Sequence, residues 1–221
     1  MTPNNLHNLL KVLRDTKENP ILVNPDNETL RVLDSLALGP NNDGFYSLER
    51  GLRIELGIKA IELGAEVEKV VSLLTWKDFE VFVAQVLSEN GYKCIESYRR
   101  RGNASLRGME IDVIGVRGKT IISVDAKMWG IRKGKSSAIK TAAEKQNERT
   151  RQLANELQRV ADRVQNMTTG EYELLSVLVT WLVEDLEFHD GLPVVPFYKL
   201  NSFLLGFDNY RELMRSHVGH L

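Results

Sequence analysis

The chain has 221 residues, of which 43% are hydrophobic and 27% are charged, a balance typical of a globular protein with a buried core. It has no apolar run near the roughly 20 residues that cross a bilayer, its N-terminus lacks the layout of a secretory signal, and a single cysteine, Cys94, excludes an internal disulfide or a thiolate zinc cluster. We therefore expect an intracellular, cytoplasmic protein rather than a membrane protein or a secreted disulfide scaffold.

The net charge of −1 comes from 29 basic and 30 acidic residues that are unevenly distributed. Residues 93–163 hold 17 of the basic and 8 of the acidic ones, so this segment carries +9 and the remainder carries −10. A basic segment in a nearly neutral chain favours contact with a polyanion at that region. Solvated helix faces give the same pattern, so charge alone does not decide between the two interpretations.

Residues 1–73 predict a helical region. Leucines recur at helical spacing from Leu6 to Leu13, and Asn24-Pro25 and Ser47 predict two further helix starts. No strand pattern is visible in this stretch. We expect residues 1–73 to form an N-terminal helical region that is distinct from the rest of the chain.

The pattern changes at residue 75. Thr75-Trp76-Lys77-Asp78 is similar to a capping box, with Asp in place of the usual Glu, and Asn90-Gly91 closes the helix that it opens. A strand is predicted from Tyr92 to Ile95, and a loop rich in Arg, Gly and Ser follows it.

Two β-rich runs, residues 110–116 and 120–127, flank Arg117-Gly118-Lys119 and predict a hairpin. Ser136 or Ser137 then caps a predicted long helix, whose apolar stripe runs to Val164.

In the last quarter of the chain, a buried strand is predicted at Leu174–Leu182 and a further strand at residues 193–198. Two short terminal helices are predicted at residues 202–207 and 210–215. The order α-β-β-β-α-β with a central hairpin predicts an α/β core.

The hairpin carries the residues that point to chemistry. Side chains alternate along a strand, so Asp112 shares a face with Glu110, and Asp125 shares a face with Lys127. Pairing around Gly118 sets Asp112 near Asp125 and Lys127. Carboxylates so close together need a cation or a proton, and their oxygens suit Mg²⁺ or Mn²⁺. A neighbouring lysine can orient or deprotonate a water held by the metal. The arrangement predicts a phosphodiester hydrolysis site.

Asp112, followed by Asp125-Ala126-Lys127 at the end of the next strand, resembles the PD-(D/E)XK nuclease signature. The preceding helix, with Gly91-Tyr92 after it, strengthens a similarity to Mrr-type restriction endonucleases and related archaeal nucleases. The similarity covers residues 74–200. It implies a restriction-endonuclease-like core, a central mixed sheet flanked by helices, within a nuclease domain at residues 74–221.

The resemblance also implies roles for single residues. Asp112 and Asp125 would bind the metal, Lys127 would position the attacking water, and Glu80 on the first core helix would complete the metal site. One departure is Ile111, which stands where the named motif has proline.

A second departure concerns the helix after the hairpin. Gln146 matches the glutamine of the Gln-x-x-x-Tyr element of some relatives and is a candidate catalytic residue, but Thr150 stands in the position of the tyrosine. Arg149, on the same helix, is a candidate for phosphate contact.

Basic residues lie before and after the hairpin and are predicted to contact nucleic-acid phosphates, although such runs are also found in solvated loops. The predicted contacts are Arg99, Arg100, Arg101, Arg107, Arg132, Lys133, Lys135 and Arg149.

We therefore expect a Mg²⁺- or Mn²⁺-dependent endonuclease that acts on DNA, with RNA left open, and that forms a homodimer. The N-terminal helices would recognise DNA, dimerise or cover the site. One alternative is a non-catalytic nucleic-acid-binding module of the same fold, against which the intact Asp112, Asp125 and Lys127 set argues. Another is an assembly protein whose acidic N-terminal helices bind a protein partner, and it predicts no salt-dependent affinity for nucleic acid.

Overall fold

The computed structural model describes residues 3–102, 108–128, 135–181 and 187–221, and the side chains of residues 3, 4 and 135 are not described. The chain forms two compact units, residues 1–82 and 83–221, and the division falls within helix α5 (Trp76–Glu89). The sequence-based division between residues 73 and 74 stays a prediction. Within the described ranges, no helix combines the length and the apolar character needed to cross a membrane.

The N-terminal unit is largely helical, as predicted. Its helices are α1 (Pro3–Asp15), α2 (Asn27–Ser35), α3 (Arg50–Glu62), α4 (Val67–Leu73) and the start of α5.

This unit also contains two short antiparallel strands, β1 (Ile21–Leu22) and β2 (Tyr46–Ser47). The expectation that the stretch holds no strand was wrong, because two residues are too few to show a period of two. Ser47 was wrongly predicted to cap a helix. It pairs with Ile21 instead, and α3 begins three residues later.

The predicted capping box at the start of α5 is confirmed. The backbone N–H of Thr75 donates to Asp78 Oδ2 (2.8 Å), and the backbone N–H of Asp78 donates to Thr75 Oγ1 (3.2 Å). Arg53 Nε donates to the same carboxylate oxygen (3.1 Å). The Asp78 side chain therefore caps one helix and binds a second.

The guanidinium of Arg53 connects four elements of the N-terminal unit. Beyond Asp78, its N–H groups donate to the carbonyl oxygens of Leu13 (3.0 Å) and Leu73 (2.7 Å) and to the hydroxyl of Thr16. A buried charge with this many partners is a structural feature.

The C-terminal unit is built on a seven-stranded mixed sheet, as the fold class predicts. Its strands are β3 (Lys93–Arg100), β4 (Met109–Arg117), β5 (Thr120–Lys127), β6 (Glu171–Thr180), β7 (Phe188–His189), β8 (Leu192–Pro196) and β9 (Ser216–His220). The order is β3-β4-β5-β6-β8-β7, and β9 pairs with β6 beside β8. The β5–β6 and β6–β8 pairs are parallel, and the other pairs are antiparallel.

The predicted hairpin is formed by β4 and β5. Its loop is Gly118-Lys119, and Gly118 has φ +58°, a conformation that glycine adopts at no steric cost. Strand β6 lies in the middle of the sheet and is almost entirely buried, which explains its continuous apolar sequence.

The remaining helices of this unit are α6 (Lys135–Ala154), α7 (Leu157–Ala161), α8 (Leu200–Leu205) and three short 3₁₀ helices at Phe197–Lys199, Phe207–Asn209 and Arg211–Leu213. The prediction of one long helix to Val164 was wrong, because the backbone leaves helical geometry at Glu156 (φ −130°). Leu157 and Val160 of α7 pack into the same core as Leu153 of α6, so the apolar period continues across the break.

The C-terminal residues differ from the prediction as well. The predicted helix over residues 210–215 is only a single 3₁₀ turn, and β9, which no sequence pattern indicated, follows it. Gly219 allows β9 to pack against α6, because a Cβ atom at this position would lie 2.5 Å from the carbonyl oxygen of Ala154.

Candidate active site

The pairing of β4 with β5 places the candidate acidic residues on one face of the sheet. Val113 lies opposite Val124 and Ile114 opposite Ser123, so side chains at even positions of β4 share a face with those at odd positions of β5. Gln146 Nε2 of α6 donates to Ser123 Oγ (2.7 Å), which shows that α6 covers this face.

Asp125 is the most enclosed acid of the site. Its side chain is 2% exposed, Lys127 Nζ lies 2.8 Å from Oδ2, and Arg149 Nη1 lies 3.0 Å from Oδ1. The two cationic side chains are 27% and 32% exposed. Each oxygen of this buried carboxylate therefore has one basic partner that reaches solvent.

Asp125, Lys127 and Arg149 line a cavity of about 510 Å³ at the end of β5. The rest of its lining comes from α6 and includes Ser137, Ala138, Thr141, Ala142 and Lys145. The small side chains of α6 leave space in front of the ion pairs, and a ligand could occupy this space.

Asp112 lies beside this cluster and is held by the backbone. The N–H of Ala126, between Asp125 and Lys127, donates to Asp112 Oδ2 (2.8 Å). This bond orients the carboxylate where the β4–β5 pairing ends, since the last pair is Val113 with Val124. Sequence reasoning thus correctly placed Asp112 close to the segment that carries Asp125 and Lys127.

Gln146 belongs to a buried polar row between α6 and the sheet. In addition to the side-chain bond to Ser123, the main-chain carbonyl oxygen of Gln146 accepts a hydrogen bond from Thr150 Oγ1 (2.9 Å). Thr150 Oγ1 in turn accepts a hydrogen bond from Ser176 Oγ (2.8 Å). Among the described residues, no donor reaches the buried Oε1 of Gln146. Gln146 therefore anchors α6 on the sheet and presents an acceptor that a water could satisfy.

Glu80 lies in the N-terminal unit on α5. It is buried, and its Oε2 lies 2.9 Å from Lys77 Nζ. Its role as a metal ligand stays a prediction.

The three consecutive arginines at the end of β3 differ in their surroundings. Arg99 forms an exposed ion pair with Glu110 (2.7 Å). Arg100 has a side chain only 2% exposed, with Nη2 donating to Gln152 Oε1 (3.0 Å) and Nε lying 3.2 Å from Glu156 Oε1. Arg100 therefore connects β3 to the end of α6.

A second cavity, of about 710 Å³, lies between the end of β3 and α6. Its basic lining residues are Arg99, Arg100, Arg101, Lys145 and Arg149, and its acidic ones are Glu110, Glu144 and Glu148. Lys145 and Arg149 line both cavities, because residues four apart lie on the same side of a helix. Sequence reasoning missed Lys145, although its spacing from Arg149 on a predicted helix was a usable signal.

Other predicted phosphate contacts cannot be placed in the same way. Arg107, Arg132 and Lys133 lie outside the described residues, and Lys135 is described only as the first residue of α6.

The carboxylates of Asp112 and Asp125 are compatible in number and type with a magnesium or manganese ion. Within the described part of the chain, no group of three or more His, Cys, Asp or Glu side chains is positioned to hold a metal. Mg²⁺ usually keeps several waters and binds through one or two carboxylates together with substrate phosphates. Asp112 and Asp125 are two carboxylates on the same face of the hairpin and are the candidate ligands, and binding of Mg²⁺ or Mn²⁺ stays a prediction.

No protein-family model matches the chain. An uncharacterised protein of Archaeoglobus fulgidus is 24% identical over 137 residues, which are 62% of this chain and 95% of that protein.

Three solved structures align with the chain at low similarity. Protein VC1899 from Vibrio cholerae has a TM-score of 0.34 and 12% identity, with 96% of this chain and 58% of that one covered. Protein AF1548, of unknown function, has a TM-score of 0.34 and 15% identity, with 61% and 66% covered. Can2 from Sulfobacillus thermosulfidooxidans, in complex with cyclic tetra-adenylate, has a TM-score of 0.37 and 13% identity, with 91% and 50% covered.

The chain thus spans little more than half the length of VC1899 and half that of Can2. At these TM-scores the likeness carries no argument about function. Membership of the PD-(D/E)XK superfamily stays a prediction.

Proposed function

We propose that this chain is a metal-dependent nuclease that hydrolyses DNA phosphodiester bonds. The observation that carries the proposal is the buried carboxylate of Asp125, held between Lys127 and Arg149 at the wall of an open cavity. Burying an acid is costly, and a stable fold has no need to direct its basic partners toward a cavity. Such a group is a candidate for chemistry.

Three residues have proposed roles at the reaction centre. Asp112 and Asp125 would hold Mg²⁺ or Mn²⁺, which when bound polarises a phosphoryl oxygen. Lys127 would hold the attacking water through an N–H donor and keep it oriented toward phosphorus. Glu80 is a further proposed ligand, and the same assay with Glu80→Gln tests its role.

The backbone of the DNA would lie along the two cavities. Arg99, Arg101, Lys145 and Arg149 are the basic residues in their linings that we propose as phosphate contacts. Arg100 is left out, because Gln152 and Glu156 already surround its guanidinium. Arg107, Arg132, Lys133 and Lys135 stay predicted contacts from the sequence.

A second candidate function is a DNA-binding module that does not cleave. It is favoured by the fact that both oxygens of Asp125 are ion-paired, as in a purely structural cluster. Both functions predict a DNA affinity that depends on salt, but only the nuclease function predicts hydrolysis of the DNA.

The test is to incubate the purified protein with supercoiled, linear and branched DNA in Mg²⁺, Mn²⁺ or EDTA. Lys127→Ala and Asp112→Ala should remove cleavage, whereas Lys140→Ala should not, because Lys140 is exposed on α6 and lines neither cavity. Salt-sensitive binding without cleavage of any substrate would favour the binding module. Light scattering on the same samples tests the proposed homodimer.

A further inference from the structure

Arg149 contacts the carboxylate of Asp125 and lines both cavities. Its Nη1 lies 3.0 Å from Asp125 Oδ1, while Lys127 Nζ lies 2.8 Å from the other oxygen. A cation that ligates Asp125 is repelled by these two positive charges and competes with them for the carboxylate oxygens, so its binding is strengthened when one of the two basic groups moves away. Lys127 is the shorter side chain and belongs to the same strand, so Arg149, which reaches across from α6, is the partner that can withdraw.

The position of Arg149 would allow its guanidinium to bind a partner other than Asp125. It lines both the cavity in front of Asp125 and the larger cavity beside the end of β3, and about a third of its side chain is exposed. A guanidinium binds a phosphate through two parallel N–H bonds. A phosphodiester entering either cavity therefore offers Arg149 an acceptor other than Asp125.

We propose that Arg149 closes the metal site in the free protein and that a substrate phosphate opens it by drawing the guanidinium off Asp125. This inference rests on the proposed nuclease function. Because DNA and metal both favour the state in which Arg149 has left Asp125, each strengthens the binding of the other by the same factor. Arg149 is a positioning residue in this scheme, and it weakens metal binding to the free protein.

The test measures Mn²⁺ affinity by the electron paramagnetic resonance signal of the free ion, with and without a short phosphorothioate DNA duplex. The duplex alone serves as the blank. For the unmodified chain, DNA should raise Mn²⁺ affinity about fivefold or more. In Arg149→Gln the affinity without DNA should already be raised by about that factor, and the further gain from DNA should be smaller than in the unmodified chain.

Lys140→Gln is the matched control, since it removes one positive charge from an exposed position of the same helix that lines neither cavity. It should retain the coupling. Arg149→Met serves as a second variant if Arg149→Gln melts at a lower temperature than the unmodified chain.

The outcomes separate the inference from the function it rests on. Failure of the unmodified chain to bind Mn²⁺ even with DNA would overturn both. Equal Mn²⁺ affinity with and without DNA would overturn the coupling and leave the metal site standing. Arg149→Gln with unchanged affinity in the absence of DNA, or Lys140→Gln with an equal rise in affinity in the absence of DNA, would overturn the role of Arg149.

Discussion

Asp78 in the N-terminal unit and Asp125 in the C-terminal unit are equally buried, each with 2% of its side chain exposed. Their partners differ. Arg53, which binds Asp78, is also only 2% exposed, whereas the partners of Asp125 are about a third exposed and line a cavity. An acid sealed together with its partner can only hold structure, while an acid whose partners reach solvent can exchange them for a ligand.

The comparison shows that burial alone does not identify a functional acid. Asp78 completes a helix cap and an ion pair, and the guanidinium that binds it uses its other donors on backbone oxygens and a hydroxyl. Among the residues that the structure describes, the partners of the Asp125 oxygens are two basic groups, which come from β5 and α6. Substitutions in the two clusters should therefore affect different properties.

The largest expected effect is the slowing of DNA cleavage by the substitution Asp112→Asn. The new amide keeps an oxygen for the Ala126 N–H, so the fold should be retained while a metal-binding charge is lost. We expect cleavage to slow about 10³-fold, or about 4 kcal/mol in the barrier. Single-turnover assays with Mg²⁺ and Mn²⁺ check this, and a variant that still cleaves at the normal rate would remove Asp112 from the site.

The next effect is on stability. Arg53→Met preserves an apolar stem but leaves Asp78 buried without its cation, which should lower the free energy of unfolding by about 3–5 kcal/mol. Urea unfolding measures the loss. Arg50→Met, an exposed change on the same helix, should shift the value by less than about 0.5 kcal/mol. An equal, small shift in both variants would contradict a structural role for the Arg53–Asp78 pair.

A smaller effect is expected for Lys145→Gln on DNA affinity. Loss of one phosphate contact should reduce the slope of log affinity against log salt by about 1. Fluorescence anisotropy at several salt concentrations gives the slope. Lys140→Gln should leave the slope unchanged. The same slope for the unmodified chain, Lys145→Gln and Lys140→Gln would place the DNA away from Lys145.

The smallest effect concerns pH. Hydrogen bonds from Arg151 and Gln152 lower the pKa of Glu148 to about 2 from its usual 4.5. Because the folded-state pKa is depressed, the resulting stabilisation is present above pH 4.5 and is lost as the pH falls toward 2. Exposure to solvent keeps it small.

The carboxyl resonance of Glu148 should thus titrate near pH 2 in an NMR experiment, and Arg151→Gln should return its midpoint toward 4.5. A midpoint near 4.5 in the unmodified chain would show that the hydrogen bonds are absent in solution.

Much of the site follows from local patterns. The alternation of side chains along a strand and the glycine turn determine which side chains of β4 and β5 share a face. The proximity of Asp112 to the Asp125–Lys127 segment could therefore be predicted from the sequence. The capping box at Thr75 is equally local. Its prediction required only two residues that lie three positions apart in the chain.

The remaining features depend on burial and long-range packing. Arg99, Arg100 and Arg101 look alike in the sequence, but β3 extends past the predicted end at Ile95, and its alternation exposes Arg99 and buries Arg100. The contact between Arg149 and Asp125 depends on how α6 docks on the sheet. No local pattern encodes that docking.

The most direct measurement of the central claim is to assay Asp125→Asn and Asp78→Asn side by side for Mn²⁺-dependent nicking of supercoiled DNA and for melting temperature. We predict that Asp125→Asn loses nicking and melts close to the unmodified chain, whereas Asp78→Asn melts at a clearly lower temperature and still nicks DNA below its melting transition. Normal nicking by a folded Asp125→Asn would contradict the assignment of Asp125 to the active site.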